Sequence, residues 1–252
     1  MLWYKAWLET RSRFLIGSAV MLCTAISVVL LWTRAMELLP LASSLGGGEL
    51  AREIQESAEL SREYRGYIWT QWFRQNGTNM GTLFAALLGA GGLLSQRSGV
   101  LFTLSLPVSR KRLLSTRIVT GLLELLGLSL GPALLISMVS PAIGKTYSIA
   151  DALIHGSCVF IAATVFFSLA FLLSTVFNDL WRPPLLTLLA ALLLGFLDST
   201  LGEGSPFSIF SSMNGELYFR TGSLPWLGLL ICIASSAAML QGSAMRTERQ
   251  DF

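Results

Sequence analysis

Six stretches of this chain are apolar for long enough to cross a lipid bilayer, and they restrict its fold more than any other feature. They fall at about residues 14–32, 79–95, 113–139, 151–177, 183–200 and 224–243. A spanning helix needs about 20 mostly apolar residues. In lipid the backbone must satisfy its own hydrogen bonds, which makes helices the natural solution. Composition agrees. Charged residues make up 13% of the chain and its mean hydropathy is +0.62, whereas a soluble domain carries roughly 25% charged residues. So few charges do not cover a soluble surface of 252 residues. The predicted fold class is an all-α membrane protein with six transmembrane helices, forming one transmembrane domain over residues 1–252.

The positions of Lys and Arg predict the orientation. With the N-terminus inside, eleven basic residues fall inside, among them Lys5, Arg11, Arg13, Arg97, Arg110, Lys111, Arg112 and Arg117, against seven outside. Both termini are then cytoplasmic. Residues 1–32 have a basic start and an apolar core, but the run is long for a signal peptide, and Leu30-Leu31-Trp32-Thr33 lacks small residues for cleavage. It is read as an uncleaved helix. The net charge of +3 is scattered between apolar runs rather than clustered on a soluble face, which argues against nucleic acid as a partner.

Three connecting segments have their own character. In residues 1–13, Leu2, Trp3, Ala6, Trp7 and Thr10 follow helical spacing, with Lys5, Glu9 and Arg13 elsewhere around the turn; this predicts an N-terminal interfacial helix. Residues 33–78 form the predicted extracytoplasmic segment. Gly46-Gly47-Gly48 breaks it, and a charged helix follows whose end turns aromatic at Tyr64, Tyr67, Trp69, Trp72 and Phe73, as in a helix returning to the membrane surface. Residues 201–223 are mixed and interrupted by Gly and Pro, too short to span. They read as a re-entrant region before the last helix or as an amphipathic external loop.

Candidate chemistry is sparse. Cys23, Cys158 and Cys232 lie in separate apolar runs with no disulfide pattern and no metal-ligand spacing. Gly127-Leu128-Ser129-Leu130-Gly131 matches a hydrolase motif by letter, but it sits mid-helix and His155 is the only histidine in the chain. Gly127 and Gly131, like Gly81, Ala85 and Gly89, are better read as small-residue helix contacts. His155 reads as a satisfied polar group rather than a ligand. Asp179 and Arg182 read as a charge pair in a tight turn before Pro183 and Pro184. Glu124 is the one acid well inside an apolar span. Such acids default to a functional hypothesis, and pairing with Arg97 or Arg117 is the expected structural role.

The most informative stretch runs from Gly91 to Leu114. It leaves the membrane at Arg97, forms a short amphipathic piece, and re-enters after Arg112 through Leu104-Ser105-Leu106-Pro107-Val108-Ser109-Arg110-Lys111-Arg112-Leu113-Leu114. This pattern, with the N-terminal interfacial helix, the six spans and the re-entrant region, resembles the permease subunits of bacterial type-2 ABC exporters. The resemblance covers nearly the whole chain. It implies that residues 96–112 form a cytoplasmic coupling helix docking on an ATPase, with Gln96, Arg97, Ser98, Gly99, Leu104, Leu106, Pro107, Ser109, Arg110 and Lys111 as contact residues. Gln96 departs from the acid that many members carry there. The chain has no Gly-x-x-x-x-Gly-Lys-Ser/Thr phosphate loop. The resemblance therefore implies a separate ABC ATPase carrying ATP and Mg, no cofactor on this chain, a second permease copy, and a place in the bacterial inner membrane. The implied cargo is lipid-like, drug-like or peptide. Two other readings stay open: a non-transporting anchor or sensor for an ATPase, and an intramembrane enzyme.

Overall fold

The computed structural model of the chain describes residues 2–43, 58–90, 110–177, 179–201 and 208–249. The regular structure among the described residues is all helical. Four of these helices are long and apolar enough to cross a bilayer: Leu2–Leu30, Arg112–Ile143, Ile149–Val176 and Trp226–Thr247.

Helix α1 (Leu2–Leu30) corrects one expectation. Residues 2–13 are not a separate interfacial helix but the first turns of one unbroken helix. No Gly or Pro interrupts the chain before Gly17. The buried residues Ala6, Thr10, Gly17, Met21, Ala25 and Val28 continue as a single stripe. At about 1.5 Å per residue α1 exceeds the roughly 30 Å hydrocarbon layer. After a turn at Leu31, α2 (Trp32–Ser43) follows.

The next helix also begins earlier than its apolar run. Helix α3 (Tyr64–Ile68), a π-helical segment (Trp69–Gly77) and α4 (Thr78–Gly89) are continuous, with right-handed helical backbone at both junctions, Ile68 and Thr78. Local side chains suit the wider turn. Asn76 Nδ2 donates to the Gln71 carbonyl at 2.6 Å and Thr78 Oγ1 to the Phe73 carbonyl at 2.7 Å, each five residues back. The aromatic residues expected at the membrane surface are core residues instead. Trp69, Trp72 and Phe73 are fully buried.

Helix α5 (Arg110–Val139) ends in a 3-10 turn, Ser140–Ile143, and Gly144 reverses the chain at φ +70°. Helix α6 (Ile149–Val176) begins at Ser148, whose side chain accepts from the Asp151 N–H. An Ncap serine and an acid in the first turn together meet free N–H groups and the positive helix end. Helix α6 is the centre of the bundle and packs against α4, α5 and the last helix. Burial of apolar surface does not drive helices together in lipid; close approach at small residues and interhelical hydrogen bonds do. The contacts fit that rule. A Cβ at Gly89 would lie 2.3 Å from the Phe167 carbonyl oxygen, and one at Gly156 would meet Leu130 Cδ2 at 2.9 Å.

A tight turn at Asp179–Trp181 leads into α7 (Arg182–Leu201). Asp179 accepts from the Trp181 N–H at 3.3 Å and pairs with Arg182 at 3.4 Å, as the sequence suggests. Two short helices, α8 (Ile209–Asn214) and α9 (Glu216–Thr221), are hinged at Gly215 with φ +66°. They precede α10 (Trp226–Arg249). Within 208–223 the chain thus forms two short helices, and α8 packs on α6; residues 202–207 lie outside the described residues.

Side-chain contacts fix the relative directions. Arg13 reaches the Leu87 carbonyl while Tyr67 reaches the Val28 carbonyl, so α1 and the Tyr64–Gly89 rod are antiparallel. Thr10 meets Glu124, and a Cβ on Gly127 would meet Phe14, so α1 and α5 are parallel. Thr164 bonds Ser236 at 2.9 Å, and Gly242 lies against Leu172, so α6 and α10 are parallel.

Candidate functional site

The described ion pairs lie toward the two ends of the bundle. At the first end, the N-terminal turns of α1 meet α4 and α5. Glu9 pairs with Arg117 at 3.3 Å, with side chains 20% and 14% exposed. At the next residue, Thr10 Oγ1 donates to Glu124 Oε1, two turns along α5 from Arg117, at 2.5 Å. Arg13 Nη1 donates to the Leu87 carbonyl at 2.6 Å. That carbonyl belongs to the last turn of α4, where backbone acceptors lack helical partners and a cation is favourable. Glu9, Thr10 and Arg13 of α1 thus hold both helices flanking residues 91–109. The Glu9–Arg117 pair is half-buried, so removing one partner strands the other charge where it is partly desolvated, which is destabilising.

Glu124 departs from the sequence expectation. Arg117 is taken by Glu9, and the described partner of Glu124 is a hydroxyl. Its second oxygen, Oε2, is buried without a hydrogen-bond partner among the described residues. The reason is geometric. Seven residues separate Arg117 from Glu124 along the helix, and the side chain from α1 reaches each of them first. Arg97 lies outside the described residues.

At the opposite end, Asp151 in the first turn of α6 joins three elements. Its Oδ2 accepts from Arg65 Nε at 2.9 Å, and its Oδ1 accepts from Tyr218 Oη at 2.8 Å. Burial, with the bond to Asp151 second, pushes the Tyr218 phenol up from its ordinary value. His155 is fully buried one turn below. Its Nδ1 lies 2.9 Å from the Asp151 carbonyl. Its ring stacks on Phe73 at 4.7 Å and meets Tyr218 edge-on at 5.3 Å. Nε2 has no described partner and faces the Gly215 turn, where an added Cβ would be 3.6 Å away. Trp69 bridges the same region. It donates to the Asn214 carbonyl at 3.0 Å and lies flat on Phe219 at 4.4 Å. Tyr64 bonds Ser140 at 2.6 Å, and Tyr67 donates to the Val28 carbonyl at 3.0 Å. Helix α3 and the π segment together therefore form a hydrogen-bonded aromatic plug between α1, the α5–α6 turn and the α8–α9 hairpin.

The candidate residues from sequence separate into three groups. Gln96, Arg97, Ser98, Gly99, Leu104, Leu106, Pro107 and Ser109 lie outside the described residues; Arg110 and Lys111 open α5, and nothing is described of their side chains. Gly81, Ala85 and Gly89 lie buried on the side of α4 facing α6: a Cβ on Gly81 would meet Val159 at 3.3 Å and Met213 at 2.8 Å. Gly127 and Gly131 do not meet another described helix closely. The nearest atom to a Cβ on Gly127 would be 3.6 Å away on Phe14, and Gly131 has open space. The close approaches in α5 and α6 are at Gly121, against Phe167, and at Gly156. Sequence reasoning missed those two and also Glu9, Thr10 and Arg13, for which the signal was a polar stripe running into an apolar one.

No family model, no curated protein and no solved structure matches the chain.

Proposed function

We propose that the chain is the membrane subunit of an ATP-driven exporter of the type-2 ABC class. In this reading the Tyr64–Gly89 rod and α7 join the four long apolar helices as six spans, and the Lys/Arg distribution makes the side that holds both termini the cytoplasmic one. The observation that carries the reading is the sequence pattern of residues 96–114, an amphipathic basic stretch between two apolar runs, in a chain with no phosphate loop of its own. The fold is compatible with it: the helices entering and leaving that stretch end side by side, each tied to α1. In this reading the partner ATPase binds ATP and Mg. Closure of two ATPase subunits moves residues 96–112. That motion opens a path between two copies of this chain for a lipid-like, drug-like or peptide cargo.

The test is affinity purification of a tagged chain from its own membranes in mild detergent. The expected result is recovery of an ABC ATPase, lost when Arg110 and Lys111 are both changed to Glu. A correctly folded chain that brings down no ATPase overturns the reading.

A further inference from the structure

The N-terminal turns of α1 bind two different helices through polar side chains. Glu9, Thr10 and Arg13 make three separate polar contacts, to Arg117 and Glu124 on α5 and to the Leu87 carbonyl on α4. These are the helices on either side of residues 91–109. Any displacement of one stem relative to the other must stretch at least one of these contacts or carry α1 along. The far end of the same unbroken helix is also fastened. The Val28 carbonyl accepts from Tyr67, and Trp32, just beyond the turn at Leu31, packs edge-on against Tyr64 and Tyr67 at 5.2 and 5.0 Å. One rigid element thus touches the stems at one end of the bundle and the aromatic plug at the other.

We propose that α1 is a transmitting strut, with Glu9, Thr10 and Arg13 as positioning residues that make it move with the two stems and pass that movement to the aromatic plug. This rests on the exporter reading, since it presumes that an ATPase drives the stems. Coupling between distant sites needs an element whose position both sites bias. Helix α1 meets both ends through specific polar bonds, alongside the Tyr64–Gly89 rod and α5, which also run between them. The contacts are unequal in kind. The ion pair and the Thr10–Glu124 bond orient α1 against α5. The Arg13 bond is to a helix-end carbonyl and follows α4 whatever side chains that helix carries.

The experiment uses the complex of the full chain with its co-purifying ATPase in lipid nanodiscs. Ser12, exposed on α1 beside the contacts, is changed to Cys, and its reaction with a membrane-impermeant maleimide is timed. The expected result is a several-fold change in labelling rate on trapping with MgATP and vanadate. With Glu9→Gln and Thr10→Val added, the rate no longer responds to nucleotide although the ATPase still co-purifies. The charge swap Glu9→Arg with Arg117→Glu restores the response, which also answers a folding defect in the first variant. A Ser12→Cys rate indifferent to nucleotide in the parent overturns the proposal. So does a response that persists after Glu9 and Thr10 are changed. Failure to recover any ATPase appears before labelling begins; it counts against the exporter reading and takes the strut with it.

Discussion

Replacing Thr10 by Val removes the described donor to Glu124 while keeping the side chain's shape. A buried polar group stripped of its partner costs about 1–3 kcal/mol. The variant should therefore melt earlier in detergent, and Thr10→Val with Glu124→Leu should recover most of the loss, because no carboxyl is then left unmatched. Equal destabilisation of the single and double variants would contradict this account of the pair. Glycines give a second contrast. Gly89→Ala forces a Cβ to 2.3 Å from the Phe167 carbonyl oxygen, whereas Gly131→Ala enters open space. Overpacking of this kind costs about 1–3 kcal/mol or more, so Gly89→Ala should lower thermal stability and folded yield while Gly131→Ala changes neither. At this scale the sequence marks Glu124 as the odd acid of its span but does not name its partner. The bond joins residues 114 apart, a closure that no local pattern encodes. The small-residue rule points equally to Gly89 and Gly131, because spacing alone does not say which face meets a neighbour.

Among elements, the π segment is the least ordinary. Its wide turn is held by Asn76 and Thr78, each bonding the carbonyl five residues back, and by Trp69 on Asn214. Long π stretches are rare, and π geometry is frequent at functional sites. Changing Asn76 to Ala and Thr78 to Val together removes two bonds of about 1 kcal/mol each. Amide exchange over residues 69–77 should then accelerate about tenfold or more, with exchange in α6 unchanged. The apolar runs foretell α5, α6, α7 and α10 to within a few residues at most ends, since a long apolar run admits one answer in lipid, in α5 even across Pro132. Residues 64–77 are harder to place. Gln71, Arg74, Gln75 and Asn76 make them read as an external helix. Packing against α1 and the α8–α9 hairpin, which comes from distant parts of the chain, is what buries Trp69, Trp72 and Phe73. The first turns of α1 are misjudged for the converse reason: Trp3 and Trp7 look like surface anchors, while the continuity of the helix depends on Ala6 and Thr10 lying on one stripe with Gly17 and Met21.

Over the whole molecule, the contacts run α1 antiparallel to the Tyr64–Gly89 rod and parallel to α5, and bring Glu9, Arg13, Leu87, Arg117 and Glu124 to one end, with Arg65, Asp151, His155 and Tyr218 at the other. The basic residues between the apolar runs predict which end is cytoplasmic. Impermeant maleimide should therefore label a cysteine at Trp181 from the inner side and one at Thr221 from the outer side. Labelling of both from one side would remove the topology on which the exporter reading stands. The central claim is that this chain is half of a membrane unit powered by another protein. Its most direct test is native mass measurement of the complex released from its own membranes. The account predicts two chains of 27.4 kDa together with two ABC ATPase subunits, in an assembly that hydrolyses ATP. A stable particle containing this chain alone, or with partners that neither bind nor hydrolyse ATP, would contradict it.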